Sequence, residues 1–358
     1  MYKFVISAVV SLLFVMAPAS AAHHGHHAKA KASKAHAGKA RGKHGAATGA
    51  HAQTVRRVIL VHGKRKVVYQ RVLVAPVAEP VRLSMGDRAG LNLTRDPLDL
   101  ASSVALVIDQ SSAEVLFEKN SSVALPIASI TKLMTGLIVV QAGQDMNEIL
   151  TVTEDDVDHE KFSSSRLKVG SQMTRADLLH IALMSSENRA AAALGRNYPG
   201  GVAGFVAAMN AKAFELGMTG TRYVDSSGLS SQNVASARDL AKLAMAAYQE
   251  PTLRAYSTDP KSVVDAGGHM MNYHNTNYLV ASPDWEIGLQ KTGFINEAGR
   301  CLVMQAVISG RPVIMVFLDS KGKLSRTADA GRVKRWLEGA RPSGLALPSE
   351  RPGISEGG

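Results

Sequence analysis

Three short polar motifs, far apart in the sequence, limit what this chain can fold into. The motifs read Ser129-Ile130-Thr131-Lys132, Ser186-Glu187-Asn188 and Lys291-Thr292-Gly293. The first heads an apolar segment typical of a buried helix, the second lies in a polar break between two helical segments, and the third ends an amphipathic strand. A fold that joins the three places a serine beside two lysines, which makes a candidate nucleophilic site that needs no histidine.

The first motif predicts an activated serine. Ser129 and Lys132 are three residues apart at the start of a helix, so they share a face and place a hydroxyl next to an amine. A serine hydroxyl is a poor nucleophile until a base takes its proton, and a lysine is such a base only when burial and nearby cations lower its pKa. We expect the apolar residues 133–140 to supply the burial and Lys291 the second cation.

The other two motifs predict groups that move a proton and bind a substrate. Ser186 is expected to relay a proton to a leaving amine, and Asn188 to donate to a substrate amide, although Asn188 alone would be a loop or helix-cap residue. Lys291 is expected near Ser186, with the Thr292 hydroxyl meeting a substrate carboxylate. Gly293 is expected to let an extended peptide approach the strand backbone and pair along its edge.

Context separates these motifs from chance repeats of the same letters. The S-x-x-K pattern recurs at Ser165 and Ser320, and S-x-N recurs at 231–233, whereas K-T-G occurs once. We interpret the extra S-x-x-K patterns as surface accidents, because only Ser129 heads an apolar helix after two strands. All three motifs in one order, each in a suitable setting, are a strong signal.

Hydrophobic periodicity predicts a mixed fold of the α+β class. Strands are predicted over residues 104–108, 114–118, 287–292, 301–308 and 312–318. Helices are predicted over residues 130–141, 175–184, 189–195, 202–216, 235–248 and 328–337. Strands at both ends with helices between them indicate an antiparallel sheet flanked by helices, with a largely helical insert.

Composition divides the chain into four parts. A positively charged start, an apolar run and the sequence Ala19-Ser20-Ala21 predict a cleaved secretory signal peptide over residues 1–21, and hence export. Residues 22–82 form a basic extension and residues 83–340 one catalytic domain. Residues 341–358 are rich in Pro, Ser and Gly and are predicted to be a flexible tail.

The basic extension accounts for the net charge. Residues 1–82 contain 14 Lys and Arg against the single acid Glu79, whereas residues 83–358 contain 27 basic and 29 acidic residues. Seven of the twelve histidines lie in residues 22–54, which have little to bury and are expected to be disordered. We expect a cationic tether that contacts anionic cell-wall polymer or lipid, in preference to a metal site.

Residues 55–75 leave two alternatives open. β-branched runs over 55–61 and 67–74 are mixed with Arg and Lys and separated around His62. The pattern fits a basic β-hairpin and fits an extended linker equally well.

One cysteine in the whole chain excludes an internal disulfide. Cys301 lies in the apolar run 301–304, which indicates a small buried hydrophobic residue and not a nucleophile. The fold therefore depends on its core for stability.

On these motifs the chain resembles the low-molecular-mass penicillin-binding proteins, the serine D-Ala-D-Ala peptidases of peptidoglycan, over about residues 101–339. It is most similar to the penicillin-binding protein 7 type, a D-alanyl-D-alanine endopeptidase. That closer similarity lies in LMSSENRAAAAL (183–194), MNAKAFELGMTGTRYVDSSGLS (209–230) and LQKTGFINEAGRCLVM (289–304). The carboxypeptidase branch usually has S-G-N-D-A where this chain has S-E-N-R-A at 186–190.

The resemblance implies a β-lactamase/transpeptidase-like fold and roles for the motif residues. It makes Ser129 the acyl-enzyme nucleophile and Lys132 its general base. The remaining catalytic residues it implies are Ser186, Asn188 and Lys291, and the substrate-binding residues are Thr292, Gly293, Phe294 and Arg326. Backbone N–H groups of Ser129 and Phe294 would form the oxyanion hole, and Arg326 would help to bind a terminal carboxylate.

The resemblance also implies the partners. Peptidoglycan stem peptides would be the substrates and β-lactams covalent inhibitors, with no cofactor, no metal and no nucleic acid. The carboxypeptidase branch continues into a β-rich second domain and an amphipathic membrane anchor. Here the chain stops soon after Trp336, so we expect one catalytic domain and a soluble periplasmic enzyme.

Three alternatives remain. One is a D-Ala-D-Ala carboxypeptidase, and another is a protein without enzymatic activity that binds polyanion or metal through its basic extension. The third is a class A β-lactamase, which shares the motifs and adds a carboxylate on an E-x-x-L-N loop soon after the second motif. The segment 250–254 is superficially similar, but it ends in Arg and lies 62 residues past Asn188. We interpret it as a turn that closes a helix.

Overall fold

The computed structural model describes residues 51–74 and 83–339. The predicted signal peptide, residues 22–50 of the basic extension and the predicted tail lie outside the described residues. Residues 51–74 belong to one compact unit and residues 83–339 to another, and each is described by itself.

The secondary structure consists of antiparallel strands and helices. The strands are β1 His51–Val61, β2 Lys64–Val74, β3 Ser102–Asp109, β4 Val115–Lys119, β5 Leu125–Pro126, β6 Ile149–Thr151, β7 Gln172–Thr174, β8 Val234–Ala235, β9 Lys261–Asp265, β10 Met270–His274, β11 Glu286–Ile295, β12 Gly299–Ile308 and β13 Arg311–Ser320. The α-helices are α1 Met85–Arg88, α2 Thr131–Gln141, α3 Arg175–Met184, α4 Asn188–Arg196, α5 Gly201–Glu215, α6 Ala237–Tyr248, α7 Pro251–Thr258 and α8 Ser325–Gly339. The 3₁₀ turns are Leu91–Leu93, Ala128–Ile130, Glu154–Asp156 and Tyr278–Ala281.

The first unit contains a basic β-hairpin. Strands β1 and β2 pair antiparallel along their whole length, from His51 opposite Val74 to Val61 opposite Lys64. His62 and Gly63 connect them, both with positive φ (49° and 75°), as a tight two-residue hairpin turn requires. Of the two alternatives left open by the sequence, the structure contains the hairpin.

A five-stranded antiparallel sheet organises the second unit. Its strand order is β11-β12-β13-β3-β4, so β11 and β4 are the edges. Strand β3 is buried at every position, which its apolar sequence on both faces requires. The strand that carries the third motif, β11, therefore has one edge without a neighbouring strand.

The two faces of the sheet pack against different helices. Side chains such as Val104 and Leu106 face the helical part of the molecule and join its large core. On the other face, Ala105 and Phe317 pack in a second core with residues of α8, including Val333. The alternation along β3 is the period of two that places one residue on each face in turn.

Helix α2 runs through the large core and supports the first motif. Nine of its 11 residues are buried. Each fully buried Leu or Met stabilises the fold by about 1.5–3 kcal/mol, which offsets the cost of the buried Lys132 in the same helix. Ser129 precedes the first turn of α2. At the other end of the helix, Gln141 donates to Glu250 Oε1.

The α+β class and the antiparallel sheet with a helical insert are confirmed. We interpreted segment 250–254 as a turn that closes α6, and this was wrong: Glu250 is the N-cap of a helix that the sequence did not predict, α7, and a proline occupies its first position. The hairpin of β9 and β10 was not predicted either.

Cys301 is fully buried on β12, opposite Gly293. Burial raises the pKa of its thiol to about 12. This agrees with the prediction of a small hydrophobic residue and leaves the thiol unreactive at neutral pH.

Residues 51–74 and 83–339 contain neither a membrane-spanning helix nor a cluster of metal-ligating side chains. None of the helices in these ranges is long and apolar enough to cross a membrane. In the same ranges no three His, Cys, Asp or Glu residues are grouped as a metal site.

Candidate active site

Ser129 lies in the 3₁₀ turn Ala128–Ile130 that leads into α2. Thr131 Oγ1 donates to the Ala128 carbonyl oxygen at 2.8 Å, and Ala128 has a φ of +48°. The backbone N–H of Ile127 donates to the carbonyl oxygen of Asn233 at 3.1 Å. The serine is therefore held on a tight turn and not on a regular helix.

Two glycines allow the chain to pack closely around this turn. A Cβ at Gly293 would lie 2.9 Å from the carbonyl oxygen of Ile127 and 3.1 Å from the backbone nitrogen of Ser129. Gly228 has a φ of +81°, and a Cβ there would lie 2.0 Å from the carbonyl oxygen of Ala128. We expected Gly293 to give room for a peptide substrate. In the structure, the part of the protein packed closely against Gly293 is the turn that carries Ser129.

Lys132 is fully buried and its amine makes three contacts. The distances from Nζ are 2.9 Å to Ser129 Oγ, 2.8 Å to Asn188 Oδ1 and 2.6 Å to the carbonyl oxygen of Ser227. Two of these partners, the amide and carbonyl oxygens, only accept hydrogen bonds. A neutral amine can donate its two N–H groups to them and direct its lone pair at the Ser129 hydroxyl.

Burial lowers the pKa of Lys132 to about 7, while the negative charges of Asp225 and Glu187 act in the opposite direction. Removal of water disfavours the charged form of an amine, which is the effect that the sequence predicted from the apolar helix. A large fraction of Lys132 is thus neutral near pH 7.

The second lysine lies in the same buried region. Lys291 is fully buried, and its Nζ donates to the carbonyl oxygen of Thr292 at 2.9 Å. Burial lowers its pKa well below the usual range, and repulsion from the charges of Lys132 and Arg326 adds to this effect. Arg326 Nη1 donates to the carbonyl oxygen of Gly293 at 3.0 Å, so this arginine does lie beside the third motif.

Thr292 and Phe294 flank Gly293 on β11. The Thr292 hydroxyl is 2.6 Å from the Thr276 hydroxyl, an arrangement the sequence did not predict. The Phe294 side chain is half exposed, and Arg300 lies over its ring at 4.5 Å from the centroid.

The second motif lies between α3 and α4. Ser186 has a φ of +62°, in the region that few residues other than glycine adopt. Its hydroxyl has no hydrogen-bond partner within residues 83–339. We expected Ser186 to lie near Lys291, but the two side chains do not form a hydrogen bond. Asn188, the first residue of α4, receives the Lys132 amine through Oδ1 and donates through Nδ2 to Ser163 Oγ at 3.0 Å.

A cleft of about 500 Å³ opens beside the serine. It is lined by Ser129, Glu160, Lys161, Phe162, Ser163, Asn188, Leu229, Phe294, Ile295, Asn296 and Glu297. One side comes from residues 158–167, which we call the strap, and the other from the turn between β11 and β12. Lys161 Nζ on the strap reaches Glu297 Oε1 on that turn at 2.7 Å.

Several residues that support the site were missed in the sequence. Asn233 is fully buried, and its Nδ2 donates to Thr131 Oγ1 at 3.0 Å. It belongs to the repeated S-x-N pattern that did not enter the predicted site. Asp225 accepts backbone hydrogen bonds from Ser227 and Gly228, both at 2.6 Å, and so shapes the loop whose carbonyl oxygen receives the Lys132 amine. A run of Asp, Ser and Gly signals a turn but does not indicate which site the turn serves.

A family model described as D-alanyl-D-alanine carboxypeptidase, peptidase S11, matches residues 92–322. The chain belongs to the peptidase S11 family. It is a serine D-Ala-D-Ala peptidase, as the resemblance implied. The matched residues include all three motifs.

Two curated relatives within this family share the same name. The chain is 48% identical over 264 residues to the D-alanyl-D-alanine endopeptidase of Pseudomonas aeruginosa, with 73% of this chain and 84% of the relative covered. It is 43% identical over 259 residues to the Escherichia coli protein of the same name, with 72% and 82% covered. Both relatives are named D-alanyl-D-alanine endopeptidase, which is the type that this sequence was found to resemble most.

Solved structures confirm the fold. The DD-transpeptidase of Streptomyces K15 superposes with a TM-score of 0.62 at 26% identity, over 68% of this chain and 98% of that one. Penicillin-binding protein D2 of Listeria monocytogenes, in an ampicillin-bound form, gives a TM-score of 0.60 at 29% identity, over 67% and 98%. The S11 chain described here therefore has the transpeptidase-like fold that was expected.

Proposed function

We propose that this serine DD-peptidase is an endopeptidase that cleaves D-Ala-containing cross-links of peptidoglycan through an acyl-enzyme on Ser129. The observation that carries the proposal is the 2.9 Å contact between Ser129 Oγ and the buried Lys132 amine, whose pKa of about 7 supplies a base at neutral pH. A hydroxyl beside such an amine is an activated nucleophile.

Acylation begins with a proton transfer. Neutral Lys132 takes the Ser129 proton as Oγ attacks the D-alanine carbonyl carbon, and the carbonyl oxygen becomes an oxyanion. The backbone N–H groups of Ser129 and Phe294 stabilise that oxyanion. When the C–N bond breaks, the leaving amine takes a proton that Lys132 returns through Ser186. Water then hydrolyses the ester and restores the serine.

The remaining site residues hold the substrate. Asn188 donates to a substrate amide, Lys291 offers a hydrogen-bond donor, and Arg326 supplies positive charge for a carboxylate. Thr292 contacts the same carboxylate when its hydroxyl leaves Thr276. The edge of β11 at Gly293, which has no neighbouring strand, pairs with an extended peptide, as an edge strand can.

The acylation rate should rise with pH around neutrality. Below pH 7 Lys132 is protonated and cannot accept the serine proton, so the second-order rate of penicillin acylation should fall about tenfold per pH unit, with its midpoint near pH 7. Stopped-flow measurement with a fluorescent penicillin from pH 5.5 to 9 tests this. Circular dichroism over the same range controls for unfolding, and a flat profile of a folded protein would contradict the assignment of the base.

Identity to the two curated endopeptidases, 48% and 43%, supports endopeptidase over carboxypeptidase activity, because relatives named carboxypeptidase match at 27–30%. Purified cross-linked muropeptide dimers should be cut to monomers by the enzyme. Chromatography of the products measures this against uncross-linked pentapeptide. Dimers that stay intact while pentapeptide loses its terminal D-Ala would establish the carboxypeptidase alternative.

We propose that β-lactams acylate Ser129 and leave slowly. Glu250, the one carboxylate compared with a β-lactamase base, bonds to Gln141 at the opposite end of α2, about 16 Å of helix away from the serine. This position gives Glu250 no route to an ester on Ser129. Export through the signal peptide of residues 1–21 would bring the enzyme to its substrate in the periplasm.

The basic hairpin is proposed to contact anionic cell-wall polymer. Six Lys and Arg and no acid lie in residues 51–74, and all six are exposed. We expect the full-length protein to co-sediment with purified anionic wall polymer at 50 mM salt and to lose most binding at 200 mM, because exposed charges are screened. Changing the six residues to Gln should weaken the binding markedly. Equal binding by the Gln variant, or binding to anionic vesicles alone, would contradict the proposal. The six residues are Arg56, Arg57, Lys64, Arg65, Lys66 and Arg71.

A further inference from the structure

Phe162 is an exposed aromatic residue held over the cleft. Its side chain is 81% exposed although it lines the same cleft as Ser129. Its φ of +53° is an outlier for a bulky residue. Such strain persists only where the surrounding structure holds the backbone, and it concentrates at functional sites.

Both neighbours of Phe162 are anchored across the cleft. Lys161 pairs with Glu297 at 2.7 Å, and Ser163 Oγ accepts a hydrogen bond from Asn188 at 3.0 Å. The Asp158 carboxylate accepts hydrogen bonds from the backbone of Lys161 at 2.9 Å and Ser163 at 2.7 Å. The backbone at Phe162 is therefore held in place, and its side chain projects from it with little packing of its own.

The strap is joined to two residues of the second motif, Glu187 and Asn188, and to Arg189, which follows it. Besides the contact of Asn188, the Ser165 hydroxyl donates to the buried Glu187 carboxylate, and Arg189 Nη1 donates to the carbonyl oxygen of Leu167 at 2.6 Å. Under the proposed function this motif returns the proton to the leaving amine. The strap thus lies beside the part of the substrate that leaves.

The cleft walls suit an aliphatic chain. Phe294 faces the cleft from the other side and is 50% exposed, and Leu229 adds apolar surface. Charged groups of Glu160, Lys161 and Glu297 form the rim. The apolar part of this otherwise polar lining gains by covering methylene groups of a ligand.

The two possible substrates differ only in the leaving group. A carboxypeptidase substrate releases D-alanine with one methyl group, whereas a cross-linked substrate releases a diamino acid with a chain of methylenes. We propose that Phe162 is a specificity-determining residue that, together with Phe294, binds the methylene chain of the cross-linking diamino acid. This proposal rests on the endopeptidase function proposed above.

The test compares two substrates across three variants. Phe162→Ala removes the ring, Phe162→Leu keeps an apolar side chain, and Phe214→Ala is the matched control on α5, where the phenylalanine is 88% exposed and lines no part of this cleft. The measurements are kcat/KM for purified cross-linked dimers and for pentapeptide, the rate of penicillin acylation, and Tm.

Phe162→Ala should lower kcat/KM for dimers about tenfold and leave the pentapeptide and penicillin rates within about twofold. Phe162→Leu should restore most of the loss, and Phe214→Ala should change nothing. An equal fall for both substrates, or no fall for either, overturns the role of Phe162 while the endopeptidase function stands. A wild-type enzyme that leaves dimers intact overturns both proposals.

Discussion

Ser129→Ala should abolish covalent labelling by a fluorescent penicillin and lower peptide hydrolysis by at least about 10³-fold. The variant keeps the turn, because Ser129 is held through the backbone and through Thr131 and Asn233 and not through its own hydroxyl. It loses the only atom that forms the ester. Effects of this size are typical when the nucleophile of a serine hydrolase is removed. A gel of the labelled proteins and a muropeptide digest measure the two losses.

The control for this prediction is Ser320→Ala. Ser320 begins one of the two other S-x-x-K patterns, and its hydroxyl donates to the Ser325 hydroxyl at 2.6 Å. This variant should label like the wild type. Labelling that survives in Ser129→Ala, or vanishes in Ser320→Ala with the fold intact, would remove the basis of the proposed mechanism.

Lys132→Met should lower the acylation rate by about 10²–10⁴-fold, the usual contribution of a general base. Methionine fills a similar space in the buried position but cannot accept the Ser129 proton. The change also leaves the acceptors on Asn188 and Ser227 without their donor, so some stability is lost. The rate of penicillin acylation at pH 8, where wild-type Lys132 is mostly neutral, gives the clearest comparison.

The same variant has a second signature in the pH dependence of stability. Lys132 has a pKa of about 7 in the folded protein and about 10.4 in the unfolded chain. Between these values the unfolded chain binds one more proton, so this group makes the free energy of unfolding rise with pH, by about 1.4 kcal/mol per unit. Below pH 7 the group is protonated in both states, and the cost of its burial is greatest.

Urea unfolding at pH 7, 8 and 9 measures this slope. The free energy of unfolding of the wild type, minus that of Lys132→Met, should increase with pH over this range. In the control Lys261→Met, at an exposed lysine of β9, the free energy of unfolding should change with pH as it does in the wild type. Parallel curves for Lys132→Met would mean that the buried amine keeps an ordinary pKa, and the base would have to be sought elsewhere.

The motifs were predictable from sequence because each carries its chemistry in a short, regular setting. Ser129 and Lys132 are close for a local reason, and the apolar helix that buries Lys132 is visible as a pattern. The sheet and most helices follow from the same periodicities, and α3 has the predicted bounds, Arg175–Met184.

The strap and the loop around Asp225 were not predictable in this way. Their residues act through contacts between segments distant in sequence, such as Lys161 with Glu297 and Asn233 with Thr131. Polar residues in loops show no period that reveals their partners. Asn233 was left aside as a repeat of a short pattern, although burial and four hydrogen bonds of its side chain make it a support of the serine turn.

The buried thiol on β12 has a practical consequence for studying this enzyme in solution. Cys301 is the single cysteine of the chain, and its raised pKa and complete burial protect it from alkylating reagents. A cysteine introduced at position 160, an exposed residue that lines the cleft, would then be the one site that takes a maleimide dye. Fluorescence from that reporter would follow substrate entry in real time, with the native sequence unchanged at every other position.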